Sequence, residues 1–250
     1  MLRSILVVLF LLLYAIFSII ALPLLWIIGR CNIGARDRIS FAIVQNSFRI
    51  ILFLSGTRLT VTGMDRIPKD GAVLYVGNHR SYYDTMILYS LVPKLTGFVA
   101  KIETKKFPVL NIWMKYMNCL FLDRDDIRKG LKTILEGIEY MKKGISICIF
   151  PEGTRNKNES ELEMRPFKEG SFKLAEKSGC PVIPVALHNT VNCLEAHFPK
   201  IKKTYVTVEF GEPIYLERME RGERKFIGAK VRDEIIGMLS DKADRHSEEN

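Results

Sequence analysis

The most one-sided stretch of the sequence lies at its amino end. Residues 5–28 hold no charged side chain, and only Tyr14, Ser18 and Pro23 interrupt the run of aliphatic and aromatic residues. As a helix this run would reach about 36 Å at 1.5 Å per residue, enough to cross a bilayer. It is too long for a cleaved signal sequence, and no small-x-small site follows it. Trp26 fits an interfacial position, and Arg30, Arg36 and Arg38 come after it. A second apolar stretch, residues 39–54, differs in kind. Phe41, Val44, Phe48, Ile51 and Leu52 recur at helical spacing, with Gln45, Asn46, Ser47 and Arg49 among them. The pattern predicts an amphipathic helix, and Arg49 places it in the interface rather than across the bilayer. Packing as a core helix of the following domain is the alternative. Residues 1–56 are thus expected to form a two-helix membrane anchor.

From residue 57 the pattern changes. Short apolar runs with turn punctuation occur at 72–76, 97–100, 119–122, 145–150 and 182–187, and later at 205–210. Helical spacing fills the gaps at 85–91, 110–116, 128–142 and 171–176, and returns at 223–239. Near-continuous apolar strands alternating with helices predict an α/β domain over residues 57–250, with a mixed, largely parallel sheet flanked by helices. Residues 241–250 read as a frayed polar tail.

Charge narrows the partners. Among 250 residues, 37 Lys and Arg face 28 Asp and Glu, a formal net charge of +9. That excess predicts an anionic partner, either nucleic acid or the phosphates of a membrane surface. The uncharged amino-terminal run decides for the membrane. The five cysteines (Cys31, Cys119, Cys148, Cys180 and Cys193) are odd in number and form no C-x-x-C pair. Zinc-ribbon and disulfide-scaffold readings fail, and a reducing compartment is expected. The G-x-G-x-x-G and G-x-x-x-x-G-K-[ST] nucleotide fingerprints are missing.

In open α/β sheets, sites form where strands end and helices begin. Two segments join that position to reactive side chains. The first is Asn78-His79-Arg80-Ser81-Tyr82-Tyr83-Asp84. A histidine is the usual base near neutral pH, and a carboxylate on its other ring nitrogen fixes the tautomer and stabilises the imidazolium. Positions five apart on a helix point about 140° away from each other. His79 and Asp84 can therefore meet only if the histidine sits on the loop and the aspartate in the first helical turn. Turn hydrogen bonding and helix capping are the alternative use of the same residues. The second segment is Phe150-Pro151-Glu152-Gly153-Thr154-Arg155. Gly153 lets the backbone approach a ligand, Thr154 can donate one hydrogen bond, and Arg155 can grip a phosphate with two. In isolation this segment could equally be a surface loop with a Glu–Arg pair.

Together the segments resemble the glycerophospholipid acyltransferase family, specifically its 1-acylglycerol-3-phosphate acyltransferase branch. The family's first block, N-H-x-x-x-x-D, is matched by Asn78, His79 and Asp84, and its third, F-P-E-G-T-R, by residues 150–155. Lys101, Glu103, Pro108, Phe121, Asp123 and Arg124 resemble the second block, K-x-E…P…F-x-D-R. Pro181-Val182-Ile183-Pro184-Val185 resembles the proline-flanked fourth, and residues 167–172 resemble F-K-x-G-x-F. Asn111, Asn118 and Asn189 stand where the family often has glycine. Asn tolerates positive φ better than other non-glycine residues, so the backbone is expected to be kept.

The resemblance implies transfer of a fatty acyl group from acyl-CoA or acyl carrier protein to the sn-2 hydroxyl of lysophosphatidic acid. It implies His79 as general base and Asp84 as its partner, with no metal and no cofactor. Glu152, Gly153, Thr154 and Arg155, with Arg124 and Lys101, would bind substrate. Arg155 and Arg124 would take the acceptor's phosphate, Lys101 the oxyanion, and Glu152 would orient Arg155 or meet a glycerol hydroxyl. The place of action would be the cell membrane, with the catalytic domain on the cytosolic side. Glycerol-3-phosphate and other lysophospholipids remain alternative acceptors. A non-catalytic lipid-binding module is the rival from another class, and a nucleic-acid partner is not expected.

Overall fold

The computed structural model describes residues 1–248, with side chains through residue 241. It opens with α1 (Leu2–Cys31) and α2 (Ile33–Ser55), which meet at Asn32, whose side chain accepts from the Ala35 N–H at 2.9 Å and so caps α2. Then follow β1 (Thr57–Thr62), β2 (Leu74–Gly77), α3 (Tyr82–Leu91), β3 (Thr96–Lys101), α4 (Pro108–Tyr116), β4 (Leu120–Leu122), α5 (Ile127–Lys142) and β5 (Ser146–Ile149). The rest is α6 (Lys173–Ser178), β6 (Val182–His188), β7 (Thr204–Phe210), α7 (Arg221–Arg224) and α8 (Ile227–Glu248).

The seven strands make one sheet in the order β1-β7-β6-β2-β5-β3-β4. All neighbours are parallel except β6 and β7, which pair antiparallel with Val185 opposite Phe210. The sheet is therefore mixed and largely parallel, as the alternating pattern predicts. Its carboxyl edge gathers the ends of β2, β5, β3, β4 and β6, where the two reactive segments begin. Strand side chains alternate between two cores. Tyr75 and Cys148 face a core shared with α1–α4, while Leu74, Val76, Ile147 and Ile149 face one shared with α5, α6 and α8. Burial on both faces explains why these strands read as unbroken apolar runs.

Strand β1 is missing from the sequence-based expectation for a physical reason. It lies at the sheet edge, half-exposed, with polar residues at alternate positions, and so presents no apolar run. The last helix departs in the other direction. It continues to Glu248, because no Gly or Pro interrupts residues 240–248, while residues 249–250 lie outside the described residues.

Residues 39–54 lie in α2, which makes polar contacts with the sheet domain. Gln45 donates to the carbonyls of Tyr89 and Val92 at 3.0 and 2.9 Å, and Arg49 Nε to that of Ser90 at 3.1 Å. These polar side chains satisfy carbonyls left open at the end of α3, which is the use the structure makes of Arg49. Helix α1 is tied in as well. Trp113 Nε1 donates to Ser18 Oγ at 2.9 Å, and the Tyr14 ring lies 5.6 Å from that of Trp113. Away from these contacts α1 exposes Ile5, Leu12, Ile16, Ile19 and Leu24. By length and composition both α1 and α2 could cross a bilayer.

The asparagine substitutions divide. Asn118 and Asn189 adopt φ of 57° and 66°, so the left-handed backbone is kept there. Asn111 lies inside α4 and needs no such conformation. Asn118 also donates from Nδ2 to Asp37 Oδ2 of α2 at 3.0 Å, a bond that glycine cannot make. Its carbonyl closes over Gly97, where an added Cβ would sit 2.1 Å from the Asn118 oxygen. Gly97→Ala should therefore cost about 3 kcal/mol or more, because a strand backbone must move. A thermal melt in detergent within a degree of the parent would contradict this packing.

Candidate active site

Strand β2 ends at Gly77, and α3 begins five residues later behind the N-cap Ser81. Between them the chain turns so that His79 leaves the strand edge and Asp84 occupies the third position of the helix. His79 Nδ1 lies 2.8 Å from Asp84 Oδ2. The same oxygen accepts the backbone N–H groups of Arg80 and Ser81, both at 2.7 Å. Asp84 is fully buried, and a carboxylate at a helix amino terminus sits in a favourable field. One side chain thus both caps the helix and holds the histidine ring. The His79 ring stacks on Phe150, centroids 4.2 Å apart and planes 14° from parallel. Its Nε2 carries no hydrogen bond among the described residues, and the side chain is 19% exposed.

The second segment holds the first from both sides. Glu152 Oε1 accepts the His79 N–H at 2.9 Å, and the Asn156 N–H donates to the His79 carbonyl at 2.6 Å. Glu152 Oε2 accepts the Arg165 N–H at 3.2 Å. Burial pushes the Glu152 carboxyl above the usual carboxylate range, and these two amide bonds pull it back in part. Both oxygens are occupied by backbone donors. Glu152 therefore positions the His79 loop, where the sequence suggests pairing with Arg155 or contact with a glycerol hydroxyl. Asn78 completes the frame: its amide exchanges hydrogen bonds with the Leu187 N–H and carbonyl at 2.8 and 2.9 Å, fastening the loop to β6.

Cations gather beside this frame. Gly153 has φ of 79°, and a Cβ there would lie 3.2 Å from Lys168 Nζ and 3.7 Å from Arg124 Nη1. Neither Lys168 nor Arg124 forms an ion pair among the described residues. Two cations over a glycine make a cradle for an anion, with Glu103 near enough to Arg124 to act on its charge. Arg155 is engaged differently. Its Nη1 lies 3.3 Å from Glu195 Oε1, and its guanidinium stacks 3.6 Å from the centroid of the Tyr82 ring. Glu195 also accepts the Tyr82 N–H at 2.7 Å and the Ser81 hydroxyl at 2.6 Å. Thr154 is half-buried in the same loop. Lys101 ends β3 with its side chain exposed, and among the described residues no hydrogen bond or ion pair joins it to the dyad.

Comparison with known proteins bears on this arrangement. The crystal structure of the 1-acyl-sn-glycerophosphate acyltransferase PlsC from Thermotoga maritima shares the fold, with a TM-score of 0.76 over 96% of this chain and 97% of that one at 21% identity. A Borreliella burgdorferi protein named 1-acyl-sn-glycerol-3-phosphate acyltransferase is 32% identical over 202 residues, 81% of this chain and 80% of its own. A Saccharomyces cerevisiae protein of the same name is 29% identical over 96% of this chain and 77% of its own. The sequence pattern of the family described as Acyltransferase matches residues 58–188, more than half of the chain. This chain belongs to the acyltransferase family.

In this acyltransferase the buried cysteines Cys119, Cys148 and Cys193 are poor nucleophiles. Burial raises the Cys119 thiol to about 12 and the Cys193 thiol to about 11, so almost no thiolate exists near neutral pH. Among the described residues no three His, Cys, Asp or Glu side chains cluster as metal ligands do. Sequence reasoning misses Glu195 and the parts played by Lys168 and Phe150. Lys168 lies in a recognisable motif that carries no stated role, and Glu195 reaches the site from a turn after β6 with no pattern around it. Phe150 opens the second segment in the sequence, but only the fold shows its ring stacked on that of His79.

Glu152→Ala should unpair two backbone donors at roughly 1–3 kcal/mol each and lower both the melting temperature and turnover. Glu152→Gln, which keeps one acceptor oxygen, should recover part of both. Parent-like melting and activity in Glu152→Ala would show that the clamp is dispensable.

Proposed function

We propose that this acyltransferase moves a fatty acyl group from a thioester, acyl-CoA or acyl carrier protein, to the sn-2 hydroxyl of 1-acylglycerol-3-phosphate, giving phosphatidic acid. The observation that carries the reading is the 2.8 Å contact between His79 Nδ1 and buried Asp84, beside the pair of cations Lys168 and Arg124. The names of the Borreliella and yeast relatives agree with it. Asp84 holds the imidazole so that Nε2 accepts the proton of the acceptor hydroxyl while its oxygen attacks the thioester carbonyl. Collapse of the tetrahedral intermediate breaks the C–S bond, and the departing thiolate takes the proton back from the imidazolium. The oxyanion requires donors, and Lys101, at the end of β3, is the cation the family's second block supplies. Arg124, Lys168 and Arg155 hold the acceptor's phosphate.

The setting is the cell membrane, with the catalytic face in the cytosol. Acceptor and product are lipids, and the exposed apolar face of α1 supports a position in the bilayer. The basic excess adds about 1 kcal/mol per Lys or Arg near an anionic leaflet.

The direct test gives the purified full chain, in detergent, lysophosphatidic acid, glycerol-3-phosphate or lysophosphatidylcholine with each donor. Lysophosphatidic acid should be used best, and a clear preference for another acceptor would overturn the reading. His79→Ala should lower turnover by roughly 10²–10⁴-fold without loss of fold. Asp84→Asn should also lower it, through the wrong tautomer. Near-parental turnover in a folded His79→Ala enzyme would end the general-base mechanism.

Arg155→Ala and Lys168→Ala should each raise KM for lysophosphatidic acid by roughly 10–150-fold, the worth of a charge-assisted bond of about 1.5–3 kcal/mol. The acyl donor's KM should change little. Equal weakening of both substrates would remove these cations from the phosphate site.

A further inference from the structure

Helix α5 carries two apolar faces, and only one is used. Thr133, Gly137, Ile138 and Met141 point into the core under the sheet. Ile127, Leu131 and Leu135, four residues apart, lie on the outside at 87%, 59% and 54% exposure. Single exposed leucines are ordinary, but a stripe at helical spacing marks a contact surface. Arg128 and Lys132 each follow a member of the stripe, and neither forms an ion pair among the described residues. Lys129, in contrast, is neutralised by Asp126 and Asp123 at 3.2 and 3.6 Å. A groove of about 650 Å³, lined by Lys105, Lys115, Lys129 and Lys132 against Asp123 and Glu136, lies on another side of α5, and no member of the stripe lines it.

We propose that this face of α5 docks an acidic amphipathic helix of the protein that carries the acyl thioester; the inference rests on the donor class named above. Apolar residues flanked by unpaired cations complement a helix with an apolar stripe flanked by carboxylates. Free acyl-CoA brings phosphates but no helix to cover the stripe. A bilayer is the poorer occupant, because α5 packs on the sheet face opposite the one that holds α1 and α2. The location suits delivery. Ile127 follows Arg124 by three residues, about 10 Å of chain, and Arg124 reaches the glycine of the anion cradle. A thioester tethered to a protein on α5 therefore enters along the carboxyl edge of the sheet, toward His79.

The test uses the full chain in detergent with purified acyl carrier protein loaded with palmitate, and in parallel with palmitoyl-CoA. Reversing Arg128→Glu and Lys132→Glu together should raise KM for the loaded carrier about ten-fold or more and flatten its salt dependence. KM and kcat with palmitoyl-CoA should stay within about two-fold, and the melting temperature should hold. Leu131→Gln, at an exposed position, should give the same donor split without a change of charge. Equal effects on both donors, or no effect on either, would overturn the inference. So would a parent enzyme that uses palmitoyl-CoA but not the carrier. Loss of binding to anionic vesicles, or of a dimer in gel filtration, with the carrier KM unchanged would reassign the face to lipid or to a second copy. Failure of the parent with both donors would instead sink the proposed reaction itself.

Discussion

One carboxylate oxygen sets the geometry of the site. Asp84 Oδ2 receives the His79 imidazole at 2.8 Å and the N–H groups of Arg80 and Ser81 at 2.7 Å. One of these bonds, from the N-cap Ser81, is the reciprocal half of a capping box at the helix start, and the Arg80 bond fixes the residue just ahead of it. The third holds the imidazole, the contact on which the proposed mechanism rests. The dyad therefore costs the fold little beyond the cap it already requires. A five-residue spacing that cannot close on a helix closes here because the histidine precedes the cap and the aspartate follows it.

Everything around the dyad serves to keep that turn in place. Its backbone is held at the His79 N–H by Glu152, at the His79 carbonyl by Asn156, and at Asn78 by both backbone groups of Leu187. Three separate strands, β2, β5 and β6, thus converge on one residue. Burial of Glu152 is unfavourable for its charge, yet both oxygens have backbone donors, and an ionised acceptor makes the stronger bond. A loop with so many anchors keeps its side chain aimed at one spot, the condition under which a positioned base is effective.

How much of this was legible beforehand depended on where the information sits. Strands β2, β5 and β6 could be read because both faces of the sheet are covered there, which makes each a continuous run, while β7 could be read from its alternating buried Val206, Val208 and Phe210. Strand β1 could not, because an edge strand half in solvent needs no such run. His79, Asp84 and the 150–155 loop stood out by spacing and family resemblance. Glu152 was legible as a residue but not in its role, since nothing local shows that its hydrogen-bond donors are two backbone amides from distant loops. Glu195 and Lys168 belong to the same class: each acts through a contact that the chain creates only on folding. The positive φ of Asn118 and Asn189 was legible, whereas the bond from Asn118 to Asp37 was not.

That last bond bears on how the apolar helices and the site relate. Asp37, Gln45 and Arg49 of α2 and Ser18 of α1 all make polar contacts with the sheet domain, at Asn118, at the end of α3 and at Trp113. Polar contacts are directional, so they fix orientation where apolar packing alone would leave it loose. The helix whose first turn holds Asp84 is the helix whose last turn is satisfied by Gln45 and Arg49. On the proposed membrane placement, the height of His79 relative to the lipid is therefore set by α2 through the length of α3, about 15 Å at 1.5 Å per residue. A flexible tether would hold the enzyme near its substrate; this rigid joint also presents the base to the head-group layer at one depth. The acceptor then needs to expose only its phosphate and free hydroxyl, while its acyl chain stays in the bilayer.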